Sequence, residues 1–172
     1  PRRACLAALE IRKKFEANAR EKGHPLEKFK MGIGIASGKA VAGKIGTEDQ
    51  YKVSVFGPVV NQASRLEGMT KIMRTQILID EETARIAREQ ISPQQARLRR
   101  LAKVRPAGMK TELIVSEVLP PVSDFPILTD DHLKYYEDAL HAFQEGEWAK
   151  AYNLLSRIPP EDVVKDFSGT KA

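Results

Sequence analysis

The stretch Phe56-Gly57-Pro58-Val59-Val60-Asn61-Gln62-Ala63-Ser64-Arg65-Leu66-Glu67 decides how the rest of the chain is read. It has the pattern of a strand end, a glycine turn and the first two turns of a helix. Just upstream, Val53 and Val55 alternate with Lys52 and Ser54, the period of a half-buried strand. Gly57 can take the backbone angles of a sharp turn, and Pro58 suits the first position of a helix, where no amide donor is needed. Asn61 and Arg65 stand one helical turn apart, so both project from the same face. A helix start offers free amides and a partial positive charge, which favours phosphate nearby. An amide and a guanidinium on that face can hold a sugar oxygen and a phosphate together. Alone, such a pair is most often a solvated helix face.

The surrounding text changes that reading. Residues 31–68 run MGIGIASGKAVAGKIGTEDQYKVSVFGPVVNQASRLEG. This run closely resembles the second half of a class III adenylate/guanylate cyclase catalytic domain. That family has a Gly-Ile-x-x-Gly strand, a Val-x-Gly-x-Ile-Gly hairpin arm, and a strand ending in Gly followed by Asn-x-Ala-[Ser/Ala]-Arg-[Leu/Met]-Glu. All of these elements occur here in order and at family-like spacing.

Composition sets outer bounds. At 172 residues the chain has room for one domain and an appendage. With 42% apolar and 30% charged residues it falls in the ordinary globular class. The net charge of +5 comes from basic residues dispersed among acids, so nucleic-acid binding is not indicated. The single Cys5 excludes an internal disulfide and fits a reducing compartment. No apolar run approaches the ~20 residues of a membrane helix, and no signal peptide is visible. The expectation is a soluble, cytoplasmic piece. Pro1 is not an initiator methionine, so the chain is expected to begin inside a longer one, whose upstream segments leave membrane attachment of the parent open.

Taken in order, residues 2–22 predict a helix with Ala4, Ala8, Ile11, Phe15 and Ala19 on its apolar side, stopped by Gly23 and Pro25. His24 in that turn reads as an exposed loop residue, since no second His or Cys lies near. Residues 29–35 alternate Phe29, Met31, Ile33 and Ile35 against Lys30, Gly32 and Gly34, a strand with one nearly bare face. That bare face suits either a close helix contact or an approaching nucleotide. Residues 41–45 and 51–56 predict two strands joined across the polar loop 46–50. After the Asn61/Arg65 helix come a short apolar strand, 76–80, and a helix, 81–88, with Asp80 as its cap and Glu81 and Glu82 in its first turn. Two closing strands follow, 97–104 and 113–118. Arg97, Arg99, Arg100, Lys103 and Arg105 alternate with Leu98, Leu101 and Val104, which reads as a solvated outer strand face.

Pro120, Pro121 and Pro126 predict an extended linker. Beyond it, Thr129 or Asp130 caps a helix with Leu133, Tyr136, Leu140 and Phe143 in one stripe. Gly146 turns the chain into a second stripe of Trp148, Ala151, Tyr152, Leu155 and Ile158. The pattern is similar to one tetratricopeptide-type helical hairpin. Residues 162–167 read as the entrance to a further helix. One such unit cannot bury its own face and needs neighbours.

The resemblance implies more than the residues alone. It implies a class III nucleotidyl cyclase domain over 1–119, with an α/β, ferredoxin-like sheet and helices on one face. A linker over 120–129 and a helical hairpin over 130–172 complete the expected organisation. It implies conversion of a nucleoside triphosphate to the 3′,5′-cyclic monophosphate and pyrophosphate, with two divalent metals, Mg2+ or Mn2+. It also implies a homodimer with active sites at the subunit interface and the 41–56 arm reaching the partner. Carried over by motif, Asn61 positions the ribose and Arg65 neutralises charge on the α-phosphate. Ser54, seven residues before the Asn, falls at the base-reading position, and its hydroxyl resembles the threonine of some adenylate cyclases. ATP is therefore the expected substrate, with Gly57 at the turn beside it.

This sequence also departs from the family. The metal-binding aspartates and base-reading lysine lie upstream of the segment that aligns with Pro1, and no Asp pair here stands in for them. Where many members carry a phosphate-binding Lys before Gly108, this chain has Ala107; Lys110 and Arg105 are the candidates to replace it. Pro58 replaces an acidic residue often found after the strand-ending Gly. The chain is expected to supply half an active site and to be inactive alone. Two other readings remain: a degenerate nucleotide-binding or dimerising module, and an interaction protein working through its hairpin, with guanylate cyclase as the alternative base choice. Retention of both Asn61 and Arg65 argues against degeneration.

Overall fold

A computed structural model of the chain describes residues 1–47, 50–106 and 111–160. Its centre is β4 (Ile77–Asp80), four residues all buried. On one side β4 pairs in parallel with β1 (Ile33–Ile35); on the other it runs antiparallel to β6 (Leu113–Leu119), which is antiparallel to the edge strand β5 (Arg97–Val104). The order is β1-β4-β6-β5. A strand buried on both faces needs an apolar run rather than alternation, and Ile77-Leu78-Ile79 supplies it. Ile77 and Ile79 pack with Cys5 and Ala8 of α1 (Arg2–Ala19) and with Ala84 and Ala87 of α3 (Glu81–Gln90). Leu78 points the other way, into a cluster with Val115 and with Leu66 of α2 (Pro58–Met73). The α/β class stands as expected, but the helices cover both faces of the sheet, not one.

Other differences have local causes. The buried side of α1 is Cys5 and Ala8, whereas Ile11 is 53% exposed. The helix is turned about one residue from the predicted stripe because its small residues allow the closest approach to the sheet. Only Ile33–Ile35 of the predicted 29–35 strand is paired. Turn bonds from the Glu27 amide to the His24 carbonyl and from the Phe29 amide to the Leu26 carbonyl, both 3.0 Å, hold the preceding residues out of the ladder. His24 lies in the turn as expected, but it is half-buried, not exposed, and its ring accepts the Leu26 amide at 3.1 Å.

The basic strand is solvated at its far end, where Lys103 and Arg105 are exposed, but not at its start. Arg97 is 4% exposed. Its guanidinium donates to the carbonyls of Pro120 (2.9 Å), Phe125 (3.2 Å) and Leu128, and reaches Asp130 at 3.4 Å. Burial lowers its pKa from the usual arginine value while Asp130 opposes the shift. Arg99 pairs with Glu117 at 2.8 Å and lies over the Tyr136 ring, and Arg100 pairs with Glu81 at 3.0 Å. Buried arginine is sustained by carbonyl and carboxylate partners, which alternation alone does not reveal. The segment after β6 is likewise not extended. The amides of Asp124 and Phe125 both bond to the Pro121 carbonyl, and Phe125 and Leu128 are buried.

Two helices follow, α4 (Asp130–Gln144) and α5 (Trp148–Leu155). Thr129 caps α4 through a reciprocal capping box with His132. α4 packs on the sheet: Tyr136 joins the Leu66/Leu78 cluster, and its hydroxyl donates to the Leu101 carbonyl at 3.1 Å. The second stripe is largely uncovered, with Trp148 62% and Tyr152 73% exposed. Residues 162–167, read from sequence as a helix entrance, lie outside the described residues.

Candidate active site

Strand, turn and helix place the candidate residues on one continuous unit. β2 (Val41–Gly46) and β3 (Tyr51–Phe56) form a separate antiparallel ribbon, and β3 feeds α2 through Gly57. Gly57 has φ +148°, and a β-carbon there would lie 3.0 Å from the Lys39 carbonyl oxygen. Both the backbone angle and the space require glycine. Pro58 occupies the start of α2, and no side chain caps that end. Within that first turn Pro58 has no amide donor, and the Val60 amide bonds to the Gly57 carbonyl at 3.1 Å.

Asn61 and Arg65 are both exposed, one turn apart on α2. Neither makes a hydrogen bond or ion pair among the described residues. The inner stripe of the same helix begins at half-buried Gln62 and continues through buried Leu66, so the sheet fixes which way Asn61 and Arg65 face. Ser54 is half-buried and sits directly opposite Gly43 in the ribbon register. Gly43 adds no side chain, and nothing lies within 4 Å of where its β-carbon would be, so the space across from Ser54 is open. The structure thus strings Ser54, Gly57, Asn61 and Arg65 along one strand-turn-helix. Lys110 lies outside the described residues, and Arg105 is exposed beside them.

Sequence reasoning missed the support beneath this unit. Asp80, read only as a helix cap, accepts from the Gln62 side chain at 2.7 Å as well as from the Thr83 amide at 2.9 Å. Nothing in the sequence links positions 62 and 80. The bare glycine face of β1 is a helix contact: a β-carbon on Gly34 would fall 2.2 Å from the Ala63 carbonyl oxygen. Among the described residues no three His, Cys, Asp or Glu side chains come together as cation ligands. The two cations implied by the resemblance thus have no such ligand group among the described residues. Among the described residues no helix is long and apolar enough to cross a membrane.

Comparison with known proteins shows the family and the fold. The family profile described as "Adenylate and Guanylate cyclase catalytic domain" matches residues 2–114. A curated relative, Adenylate cyclase 1 of Rhizobium meliloti, is 31% identical over 117 residues, covering 67% of this chain and 17% of that protein. The crystal structure of the guanylyl cyclase Cya2 superposes with a TM-score of 0.50 at 28% identity, covering 69% of this chain and 59% of that one. A bacterial light-regulated adenylyl cyclase shares the fold, with a TM-score of 0.52 at 20% identity over 66% of this chain and 32% of its own. The chain spans less than a fifth of the Rhizobium protein's length.

Proposed function

Because the chain belongs to the adenylate and guanylate cyclase catalytic domain family, we propose that its parent protein converts ATP to 3′,5′-cyclic AMP and pyrophosphate. The observation that carries this reading is the exposed Asn61/Arg65 pair on a helix whose start carries no side-chain cap. In the reaction the ribose 3′-oxygen loses its proton and bonds to the α-phosphorus, and the bond to the β-phosphate oxygen breaks, releasing pyrophosphate. Asn61 holds the ribose so that its 3′-oxygen faces the α-phosphate. Arg65 donates to the α-phosphate oxygens as their charge grows. Gly57 lets the backbone pass close to the nucleotide, and Ser54 reads the adenine edge with its hydroxyl. Lys110 is proposed to contact the phosphates.

The described chain supplies one half of the site. β1 is paired on one edge only among the described residues, which leaves the other edge open to the upstream strands that bring the metal-binding carboxylates for Mg2+ or Mn2+. On this reading the chain alone is inactive. The β2–β3 ribbon exposes Val41, Ile45, Val53, Val55 and Phe56 and serves as the contact with a second copy in a homodimer. Residues 1–119 form the catalytic unit and 120–129 the connection. α4 and α5 make one tetratricopeptide-type hairpin whose exposed Trp148 and Tyr152 support further packing. The protein works in the cytoplasm, with any membrane anchor in upstream segments.

The test is product analysis of the full-length protein with ATP and GTP supplied separately in the presence of Mn2+. Cyclic AMP formed in clear excess over cyclic GMP is the expected result. Cyclic GMP as the main product would overturn the role of Ser54. No cyclic product from a folded dimer would overturn the enzyme reading in favour of a dimerising module.

A further inference from the structure

Asp80 ends β4 and is 3% exposed, yet it receives hydrogen bonds from three separate segments. Its Oδ1 accepts the Thr83 amide at 2.9 Å, which caps α3. Its Oδ2 accepts the Gln62 side-chain amide of α2 at 2.7 Å and the Ser37 backbone amide, just after β1, at 3.3 Å. The Ser37 and Thr83 hydroxyls close the cluster at 2.8 Å. Capping α3 requires only the first of these bonds. The other two tie the strand–loop and the start of α2 to the same carboxylate.

Resting on the cyclase reading above, we propose that Asp80 is a positioning residue for the reaction, acting through Gln62 to set the direction in which Asn61 and Arg65 project. Gln62 adjoins Asn61 and lies three residues before Arg65, on the inner stripe of α2. The other anchors of that helix, its buried inner stripe and the close approach at Gly34, set its rotation only through packing. Leu66 contributes an apolar contact, which is non-directional. The close approach at Gly34 sets distance from the sheet. The start of α2 has no side-chain cap to orient it. A charge-assisted bond between an amide and a buried carboxylate is directional and little diluted by solvent. It is therefore the directional contact that refines the rotation of the first two turns of α2 beyond what packing sets.

The experiment compares the full-length protein with Gln62→Met, Gln62→Glu and the double variant Gln62→Glu/Asp80→Asn, reading kcat, KM for ATP and the thermal midpoint. Gln62→Met keeps the length and the cap of α3 but loses the tether. We expect kcat to fall by ~100-fold, the scale of a small misplacement of reacting groups, with KM changed far less and the midpoint lowered only modestly, since Asp80 keeps its bonds from Ser37 and Thr83. Gln62→Glu sets two carboxylates against each other and loses at least as much. The double variant restores a bond of reversed polarity: the amide introduced on β4 donates to the carboxylate introduced on α2, while the amide oxygen still accepts from Thr83. It is expected to recover at least ~10-fold over Gln62→Glu, a recovery that general loss of stability would not produce. Wild-type kcat in Gln62→Met would overturn the proposal, as would a double variant no better than Gln62→Glu. If Gln62→Met does not fold, the swap decides alone. A wild-type protein that makes no cyclic product would overturn the proposed function and this role with it, whereas an active wild type with an active Gln62→Met overturns the role only.

Discussion

A β-carbon at Gly34 would meet two backbone atoms of α2, the Ala63 carbonyl oxygen at 2.2 Å and the Glu67 amide nitrogen at 2.4 Å. Neither can move without moving the helix. Gly34→Ala should therefore lower stability by ~2 kcal/mol, in the range of overpacking, and depress activity by pushing Asn61 and Arg65 outward. Urea unfolding beside the cyclase assay checks both. An unchanged midpoint would mean that α2 yields more easily than its packing indicates. The sequence showed that this strand face was bare but left open whether a helix or a nucleotide came close. Glycine removes a side chain without naming what takes its place. The same limit applied at Asp80, where the cap on the next helix was legible and the bond to Gln62 was not, because contacts between distant segments leave no local pattern.

Elements with strong periodicity or clear stops were predicted close to their observed bounds: α2 behind Gly57-Pro58, the β2–β3 ribbon, β4, and α4 behind Thr129. The errors fell where side-chain chemistry overrode pattern. Alternating arginines on β5 have the pattern of an outer face, yet Arg97 is enclosed by the segment after β6 and binds its carbonyls. This makes Arg97 the clasp between the sheet and the hairpin. Arg97→Met takes the guanidinium away from the carbonyls of Pro120 and Leu128, an acceptor left unpaired in the interior costing about 1–3 kcal/mol. The expected outcome is faster amide exchange across residues 120–136, with protection of β4 and α2 retained. Loss of protection throughout the chain would show instead that the hairpin and sheet unfold as one unit.

At the scale of the molecule, the sheet is covered on both faces, while the β2–β3 ribbon stands apart with apolar side chains exposed on each side. A lone two-stranded ribbon is marginal in water and gains stability by docking. On the dimer reading, Val53→Glu, at a site 71% exposed, should shift the full-length protein to monomer in sedimentation, make its thermal midpoint lower and independent of concentration, and abolish activity. A dimer that persists would place the interface elsewhere. The central claim is that Arg65 acts on the α-phosphate of ATP in the transition state. Its most direct test is cyclic AMP formation by the full-length protein beside its Arg65→Ala variant at saturating ATP. The account predicts product from the parent and a loss of ~3–5 orders of magnitude in kcat for the variant, at an unchanged thermal midpoint. A variant that turns over within tenfold of the parent would contradict it.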